Sequence, residues 1–375
     1  GAQFVAIPHN SNISKGRMFP EKSLRGEPFT EESARTRAKW ETVVEATQFK
    51  GDSEAHPDLS PNDEFADFEL YPHYIQRDPP PYEASEGDYV RSALKRGLAI
   101  EEKIGFNPYQ FGLIGSTDSH TGVASAEENN FWGKFPRDSK PETKTGWRGG
   151  KGPSGWSMSA SGLAAVWAEE NSRDEILDAF RRREVYATTG PRMAVRVFAG
   201  WDFDESDLAS KDLADVGYAR GVPMGGELTR QGDGGAPRFL IQALKDPKSG
   251  NLDRIQVIKG WLDEDGSPQE RIYDVAGAGE RTRDAAGKLS LIGNTVDLTT
   301  ARYTNDIGAA DLTAAWEDPD FDGDQSAFYY VRVLEIPTPR HSLMDAVALG
   351  VDPSEVEGAS TIQERAYTSP IWYRP

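Results

Sequence analysis

A short apolar run that stops at a polar turn is the feature that most constrains the fold of this chain. The run FGLI at 111–114 has the length and composition of a buried strand, and it leads directly into the turn GSTDSHTG at 115–122. Residues two apart on an extended segment point to the same side. Asp118 and His120 can therefore reach one metal ion, as catalytic residues do at the strand ends of barrel enzymes. A hydrogen-bonded loop pair is the alternative reading of this Asp-x-His spacing.

A second phrase near the start of the chain repeats this design. The sequence FVAIPHN at 4–10 places His9 after another apolar run, and only five histidines occur in the whole chain. A hydrolytic metal needs nitrogen and oxygen donors that converge from different elements and leave one position open for water. We therefore expect His9 to join Asp118 and His120 in one metal cluster.

Composition excludes several classes of protein. The chain has 61 acidic and 42 basic residues, a net charge of −19, which repels nucleic-acid backbones and anionic lipid. No apolar run is long enough to cross a bilayer. Cysteine is absent, so a metal would be bound by nitrogen and oxygen alone. The acidic, Gly- and Pro-rich composition slightly favours a periplasmic or secreted protein over a cytoplasmic one.

The order of the predicted elements indicates an α/β fold. Strand and helix patterns alternate between residues 31 and 190, which is typical of a parallel α/β barrel or sheet. Further along the chain, short alternating strands are separated by Gly- and Asp-rich turns, as in a β-sandwich. The segment 127–161 has no core periodicity and is interpreted as an ordered flap. The predicted domains are a barrel-like part at 1–190, a β-rich accessory domain at 191–345 and an irregular tail at 346–375 that packs back on the body.

Several longer phrases together resemble a known family. They are IPHNSNISKGRMF, VEATQFKGDSE, GLIGSTDSHTG, GLAAVWAEENSRDEILDAFRRREVYATTGPRMAVR and YYVRVLEIPTPR. In these phrases the chain resembles the DUF3604 family, which is related to the PHP (polymerase and histidinol phosphatase) metal-dependent phosphoesterases. The resemblance implies a partial PHP-like distorted (β/α) barrel followed by a β-sandwich-like domain.

The resemblance also implies a ligand set. His9, Asp118 and His120 match metal ligands of the family, and Glu45 stands where related enzymes place an acidic residue beside the metals. The implied cofactors are divalent ions of zinc, manganese or iron, two or three in the intact protein. The implied reaction is attack of a metal-activated hydroxide on a phosphoester.

Four further residues are candidates around this cluster. Arg17 and Lys50 follow the first two predicted strands and could bind a small anionic substrate, although each could equally be a solvated charge. Glu54 and His56 could add a ligand or a general acid, but a loop histidine beside a proline is more often a packing residue.

One expected motif is missing. Proteins of this kind open with a His-x-His strand, and no His-x-His occurs in this sequence. The resemblance therefore predicts that the chain is the carboxy-terminal part of a longer protein, completed by an upstream segment or a second chain. A homo-oligomer is a further possibility. Two other functions stay open: hydrolysis of another ester, amide or sulfate, and a non-catalytic binding or envelope-associated role.

Overall fold

The computed structural model describes residues 3–76, 78–125, 127–145, 153–231, 235–356 and 358–375. The helices in these ranges are α1 (Glu31–Trp40), α2 (Val90–Ile104), α3 (Pro141–Lys144), α4 (Arg173–Arg182), α5 (Leu213–Arg220) and α6 (His341–Leu349). The first nine strands are β1 (Val43–Gln48), β2 (Gly51–Asp52), β3 (Gly112–Gly115), β4 (Leu163–Val166), β5 (Val185–Thr188), β6 (Ala194–Gly200), β7 (Gly221–Pro223), β8 (Glu227–Thr229) and β9 (Arg238–Leu244). The remaining strands are β10 (Leu252–Leu262), β11 (Pro268–Gly277), β12 (Asp311–Glu317), β13 (Ala327–Glu335), β14 (Thr338–Pro339), β15 (Thr361–Ile362), β16 (Arg365–Thr368) and β17 (Ile371–Arg374).

A three-stranded sheet in the order β2-β1-β3 carries the segments singled out in the sequence. β1 and β3 are parallel, with Glu45 opposite Ile114, and β2 is antiparallel to the end of β1. Helix α2 contacts strands β10 and β11, and its apolar residues, which recur every three or four positions, share one buried cluster with Val44 of β1 and Leu113 of β3. It ends at Gly105, whose φ of 75° suits glycine.

The largest sheet has eight strands. Its main path runs β11-β10-β13-β16-β5-β4, and β17 joins β13 to β8. Strand β5 pairs antiparallel with both β4 and β16, so this sheet contains strands from both sides of residue 190. The segment 346–375 packs on the body through β16 and β17.

A four-stranded antiparallel sheet in the order β12-β9-β6-β7 covers one face of the large sheet. Val195 and Ile241 from the smaller sheet share one buried cluster with Val257 and Val331 from the larger sheet. Burial of these apolar side chains supplies about 25 cal/mol for each Å² removed from water. The two sheets therefore enclose the main core of the second half of the chain.

The expectation of an α/β fold with a partial (β/α) barrel is wrong. The described residues form four separate sheets, richer in strand than in helix, and none of these sheets closes on itself. The alternation of strands and helices was correct locally, but it does not specify strand direction. Only β1 with β3, and β17 with β8, pair in parallel in the described ranges, whereas β5 finds an antiparallel partner some 180 residues downstream.

A buried network of ion pairs connects α2 and the loop after β2 to strand β13. Asp63 accepts hydrogen bonds from Arg332 of β13 and from Arg91 of α2, each at 2.7 Å. Glu54 accepts from Arg91 at 2.5 Å and lies 3.4 Å from Arg332. Because removal of one member leaves a buried charge unpaired, such networks strongly couple the elements that supply them.

Candidate functional site

The parallel pairing of β1 with β3 brings two loops to the same sheet edge. Lys50 follows β1, and Asp118 follows β3. The extended segment before His9 lies beside β1, where Glu45 N donates to Pro8 O at 3.2 Å. No regular strand forms in this segment, but it delivers His9 to the same edge. Residues separated by more than a hundred positions thus meet in one cluster.

His9 is held by Glu45. Nδ1 of His9 lies 2.8 and 2.9 Å from the two carboxylate oxygens of Glu45. A carboxylate can only accept, so Nδ1 donates to Glu45 and Nε2 is the ring nitrogen left for other partners. That Nε2 lies 3.6 Å from Asp118 Oδ2. Asn10 N and Ser116 Oγ also donate to Glu45, which fixes the carboxylate.

Asp118 is the centre of the cluster. Two buried ammonium groups, Lys50 Nζ and Lys134 Nζ, donate to its Oδ2. Lys134 Nζ also donates to the backbone oxygen of Asp118 at 2.6 Å. Partial burial alone would raise the pKa of Asp118, but the hydrogen bonds from Lys134 and Lys50 outweigh it and lower that pKa. Burial lowers the pKa of Lys134 to about 8.

His120 lies on the outer side of Asp118. Its Nδ1 is 2.8 Å from Asp118 O and 3.7 Å from Asp118 Oδ1. Lys134 Nζ, which can only donate, lies 3.2 Å from the same nitrogen, so the two contacts favour opposite tautomers of His120. Half of the His120 side chain is exposed, and the edge of the ring contacts Phe135. The open side of the cluster is therefore next to His120.

Backbone conformation at the site is unusual. Asn10 and Asp118 have φ values of 54° and 56°, in the left-handed region that non-glycine residues seldom adopt. Asn and Asp enter this region more readily than most other non-glycine residues. Strained backbone of this kind concentrates at functional sites. Here it turns the chain sharply beside His9 and between the end of β3 and His120.

Buried polar groups hold the Lys50 loop. Asn12 Nδ2 donates to Lys50 O at 2.8 Å, and Lys50 N donates to Gln48 Oε1 at 2.9 Å. The same Gln48 oxygen accepts from Lys50 Nζ at 3.3 Å. The ammonium group is thus directed at Asp118 by the fold of its own loop.

The other predicted residues lie elsewhere. Arg17 is exposed, and its backbone N donates to Ser14 O. Glu54 belongs to the buried ion-pair network described above. His56 packs its ring against Tyr89 and lies 3.6 Å from Asp58. The structure therefore brings together the predicted His9, Glu45, Lys50, Asp118 and His120, and not Arg17, Glu54 or His56.

Two members of the cluster were missed by the sequence analysis. Lys134 comes from the predicted flap, of which residues 146–152 lie outside the described ranges. It follows His120 by fourteen positions in a loop without periodicity, so no sequence signal marks it. Ser116 lies inside the GSTDSHTG phrase, but its contact with Glu45 depends on the pairing of β1 with β3, which the sequence pattern did not specify.

The donor chemistry of the cluster fits a divalent cation. His9 holds its Nδ1 against the Glu45 carboxylate, the arrangement that usually accompanies metal ligation through Nε2. His9 Nε2 already faces a carboxylate oxygen. Across the described ranges, however, no three His, Asp or Glu side chains converge closely enough to form a ready-made metal group. The residues fit the ion by type, and His9 also by the orientation of its ring, while Lys50 and Lys134 hold the central carboxylate.

Comparisons with known proteins place the chain in a family. The fold and site define a β-rich protein with a histidine, carboxylate and lysine cluster at the edge of a small parallel sheet. The model of the DUF3604 family, described as a protein of unknown function, matches residues 1–375, and the chain belongs to that family. Searches of curated proteins and of solved structures each found no match. Among the described residues, none of the helices is both long and apolar enough to span a membrane.

Proposed function

We propose that this chain carries the metal site of a hydrolase that cleaves a phosphoester. The observation that carries the proposal is the relation of His9 to its two neighbours. Nδ1 donates to Glu45, and Nε2 faces Asp118 Oδ2 at 3.6 Å. In many metal centres a carboxylate accepts from one ring nitrogen of a histidine, and the other ring nitrogen binds the metal ion. His120, which is half exposed beside Asp118, is the third proposed ligand.

The remaining residues suit an anionic substrate. Two buried ammonium groups at one site are costly unless a negative charge faces them. Asp118 supplies that charge in the structure, and a phosphoryl group would present further oxygens to Lys50 and Lys134. A bound divalent cation would supply Lewis acidity and an acidic water at such a centre. Glu45 would keep His9 oriented, and the two lysines would hold the substrate oxygens.

The proposed relationship with the PHP phosphoesterases rests on these residues alone. His9 and the Asp118-x-His120 pair supply nitrogen and oxygen ligands from two separate segments, as those enzymes do. The sheet arrangement gives no support to that relationship. We therefore propose a shared type of site, with zinc, manganese or iron as the candidate ions.

Metal analysis and a hydrolase screen test the proposal. The full chain is titrated with Mn²⁺, Zn²⁺ and Fe²⁺ and assayed on p-nitrophenyl phosphate. Asp118→Asn should reduce metal affinity and phosphatase activity by about 100-fold or more, because it removes the central charge. Asp207→Asn is the matched control, since Asp207 also pairs with a cation, Arg220, at 2.7 Å.

Each alternative function gives a different result. Metal binding that depends on Asp118, together with hydrolysis of a sulfate, amide or carboxylic ester but of no phosphate, would indicate another kind of hydrolase. Absence of both metal binding and hydrolysis would contradict the proposal and favour a binding protein. Equal loss in the Asp118 and Asp207 variants would point to unfolding.

A further inference from the structure

Two ammonium groups occupy the carboxylate oxygen that a cation would need. Asp118 Oδ2 accepts from both Lys50 Nζ and Lys134 Nζ. The same oxygen is the one that faces His9 Nε2 at 3.6 Å. A cation bound between Asp118 and His9 would therefore compete with the two ammonium groups for Asp118 Oδ2.

The lysines are held where they are by more than Asp118. Lys134 Nζ donates to Asp118 O at 2.6 Å and lies 3.2 Å from His120 Nδ1. Lys50 Nζ also donates to Gln48 Oε1 at 3.3 Å. Both side chains are about 95% buried, so solvent and salt screen their charge only weakly. A divalent ion at Asp118 would meet two positive charges at close range.

We propose that Lys50 and Lys134 compete with a divalent cation for Asp118, and that cation binding releases at least one of these ammonium groups toward an anionic substrate. This inference rests on the proposed metal site. Before the ion binds, the positive charges of the two lysines take its place and pair with Asp118. The competition also couples the two ligands, because the ion frees the group that the anion needs. Such coupling is reciprocal, so the anion must in turn strengthen cation binding.

Single replacements of the lysines test the competition. Lys134→Met and Lys50→Met each remove one charge and keep an unbranched stem, and the other lysine stays to pair Asp118. The affinity of the full chain for Mn²⁺ alone is measured by titration, without substrate. We expect each variant to bind Mn²⁺ about tenfold more tightly than the unchanged chain, a difference of about 1.4 kcal/mol.

Two controls separate competition from general damage. Lys134→Arg retains the positive charge and should not tighten Mn²⁺ binding. Lys95→Met removes a lysine that pairs at 2.6 Å with Glu270, which is not a member of the cluster. This variant should leave Mn²⁺ affinity unchanged. Tighter binding in both methionine variants at 50 and 134, and in neither control, supports the inference.

The contrary outcomes are distinct. Mn²⁺ binding that requires Asp118 but is unchanged or weakened in Lys50→Met and Lys134→Met would overturn the competition and leave the metal site standing. Absence of Mn²⁺ binding in the unchanged chain and in both variants would overturn the metal site and the competition together. Binding that appears only after a lysine is removed would support both.

Discussion

Glu45 holds His9 through both of its carboxylate oxygens, which lie 2.8 and 2.9 Å from Nδ1 of the imidazole. This contact joins a strand residue in the sheet to a residue in the extended segment beside it. Because Glu45 is itself fixed by Asn10 N and Ser116 Oγ, the orientation of the ring is set by three separate parts of the chain. The contact with Glu45 occupies Nδ1, so Nε2 is the nitrogen of His9 that can bind a cation.

Replacement of Glu45 tests that relation directly. In Glu45→Gln the side chain keeps its shape but loses the charge that favours the proton on Nδ1. We expect Mn²⁺ affinity to fall by about 10- to 100-fold, the usual effect of removing a residue that orients a metal ligand. Isothermal titration of the purified chain measures it. Glu31→Gln on the exposed face of α1 is the control, and equal affinities in the two variants would contradict the role given to Glu45.

The cluster was predictable where its residues follow apolar runs. His9, Asp118 and His120 come after such runs and were expected at one site, whereas the sequence pattern did not specify that β1 pairs with β3. Lys134 was not predictable, because it arrives through a loop whose path depends on tertiary packing. Glu54 was interpreted as a possible ligand, but it follows β2 into the buried network with Arg91, a contact that no local pattern encodes.

The barrel prediction failed for a related reason. Strand and helix periodicity identifies elements but leaves their partners open. β5 lies between β4 and β16, and the second of these comes from the end of the chain. A pairing across such a distance is decided by the packing of whole sheets. Local alternation therefore gave correct elements and a wrong topology.

Gly162 controls the packing beneath the site. A Cβ atom at this position would lie 2.5 Å from Ser116 O and 2.7 Å from Thr47 O, both backbone atoms at the ends of β3 and β1. We expect Gly162→Ala to lower the free energy of unfolding by about 1–3 kcal/mol, as overpacking does, and to weaken Mn²⁺ binding by displacing Asp118. Urea unfolding and Mn²⁺ titration measure the two effects.

The matched control is Gly235→Ala, since a Cβ at Gly235 would have no atom within 4 Å. This control should stay within about 0.5 kcal/mol of the unchanged chain. A Gly162→Ala variant that unfolds at the same urea concentration as the control would show that the two strand ends can separate without cost.

Asp63 links the stability of the fold to acid. Burial alone would raise its pKa, but Arg332 and Arg91 outweigh burial and hold the pKa of Asp63 well below its usual range. The folded carboxylate thus stays ionised while the unfolded one takes up a proton near pH 4. Its contribution to stability is present above that pH and is lost as pH falls toward the pKa of the folded state.

We expect Asp63→Asn to lower the free energy of unfolding at pH 7 by about 3–5 kcal/mol, because two buried guanidinium groups lose their shared partner. The difference from the unchanged chain should shrink below pH 4. Chemical denaturation between pH 2.5 and 7 measures it, with the exposed Asp58→Asn as the control. A constant difference over this range would show that ionisation of Asp63 is not what stabilises the network.

Glu335 gives the opposite pH dependence. Its side chain is buried in β13, where Oε2 accepts from Ser249 Oγ at 2.6 Å and from Gly250 N at 3.2 Å. Burial raises the pKa of Glu335 from 4.5 to about 8. Between these values the unfolded carboxyl group is ionised and the folded one is protonated. Its contribution is therefore complete below pH 4.5 and is lost as pH rises through about 8.

Glu335→Gln replaces the protonated acid with a neutral amide that can accept the same two hydrogen bonds. We expect the variant to gain stability relative to the unchanged chain as pH rises from 5 to 8.5, by on the order of 2 kcal/mol. Denaturant unfolding at several pH values measures this change, and Glu317→Gln at the half-exposed end of β12 is the control. A constant difference between the free energies of unfolding of the Glu335→Gln variant and the unchanged chain across this pH range would contradict the prediction. It would mean that the buried carboxyl group is ionised in the folded protein and is paired with a cation.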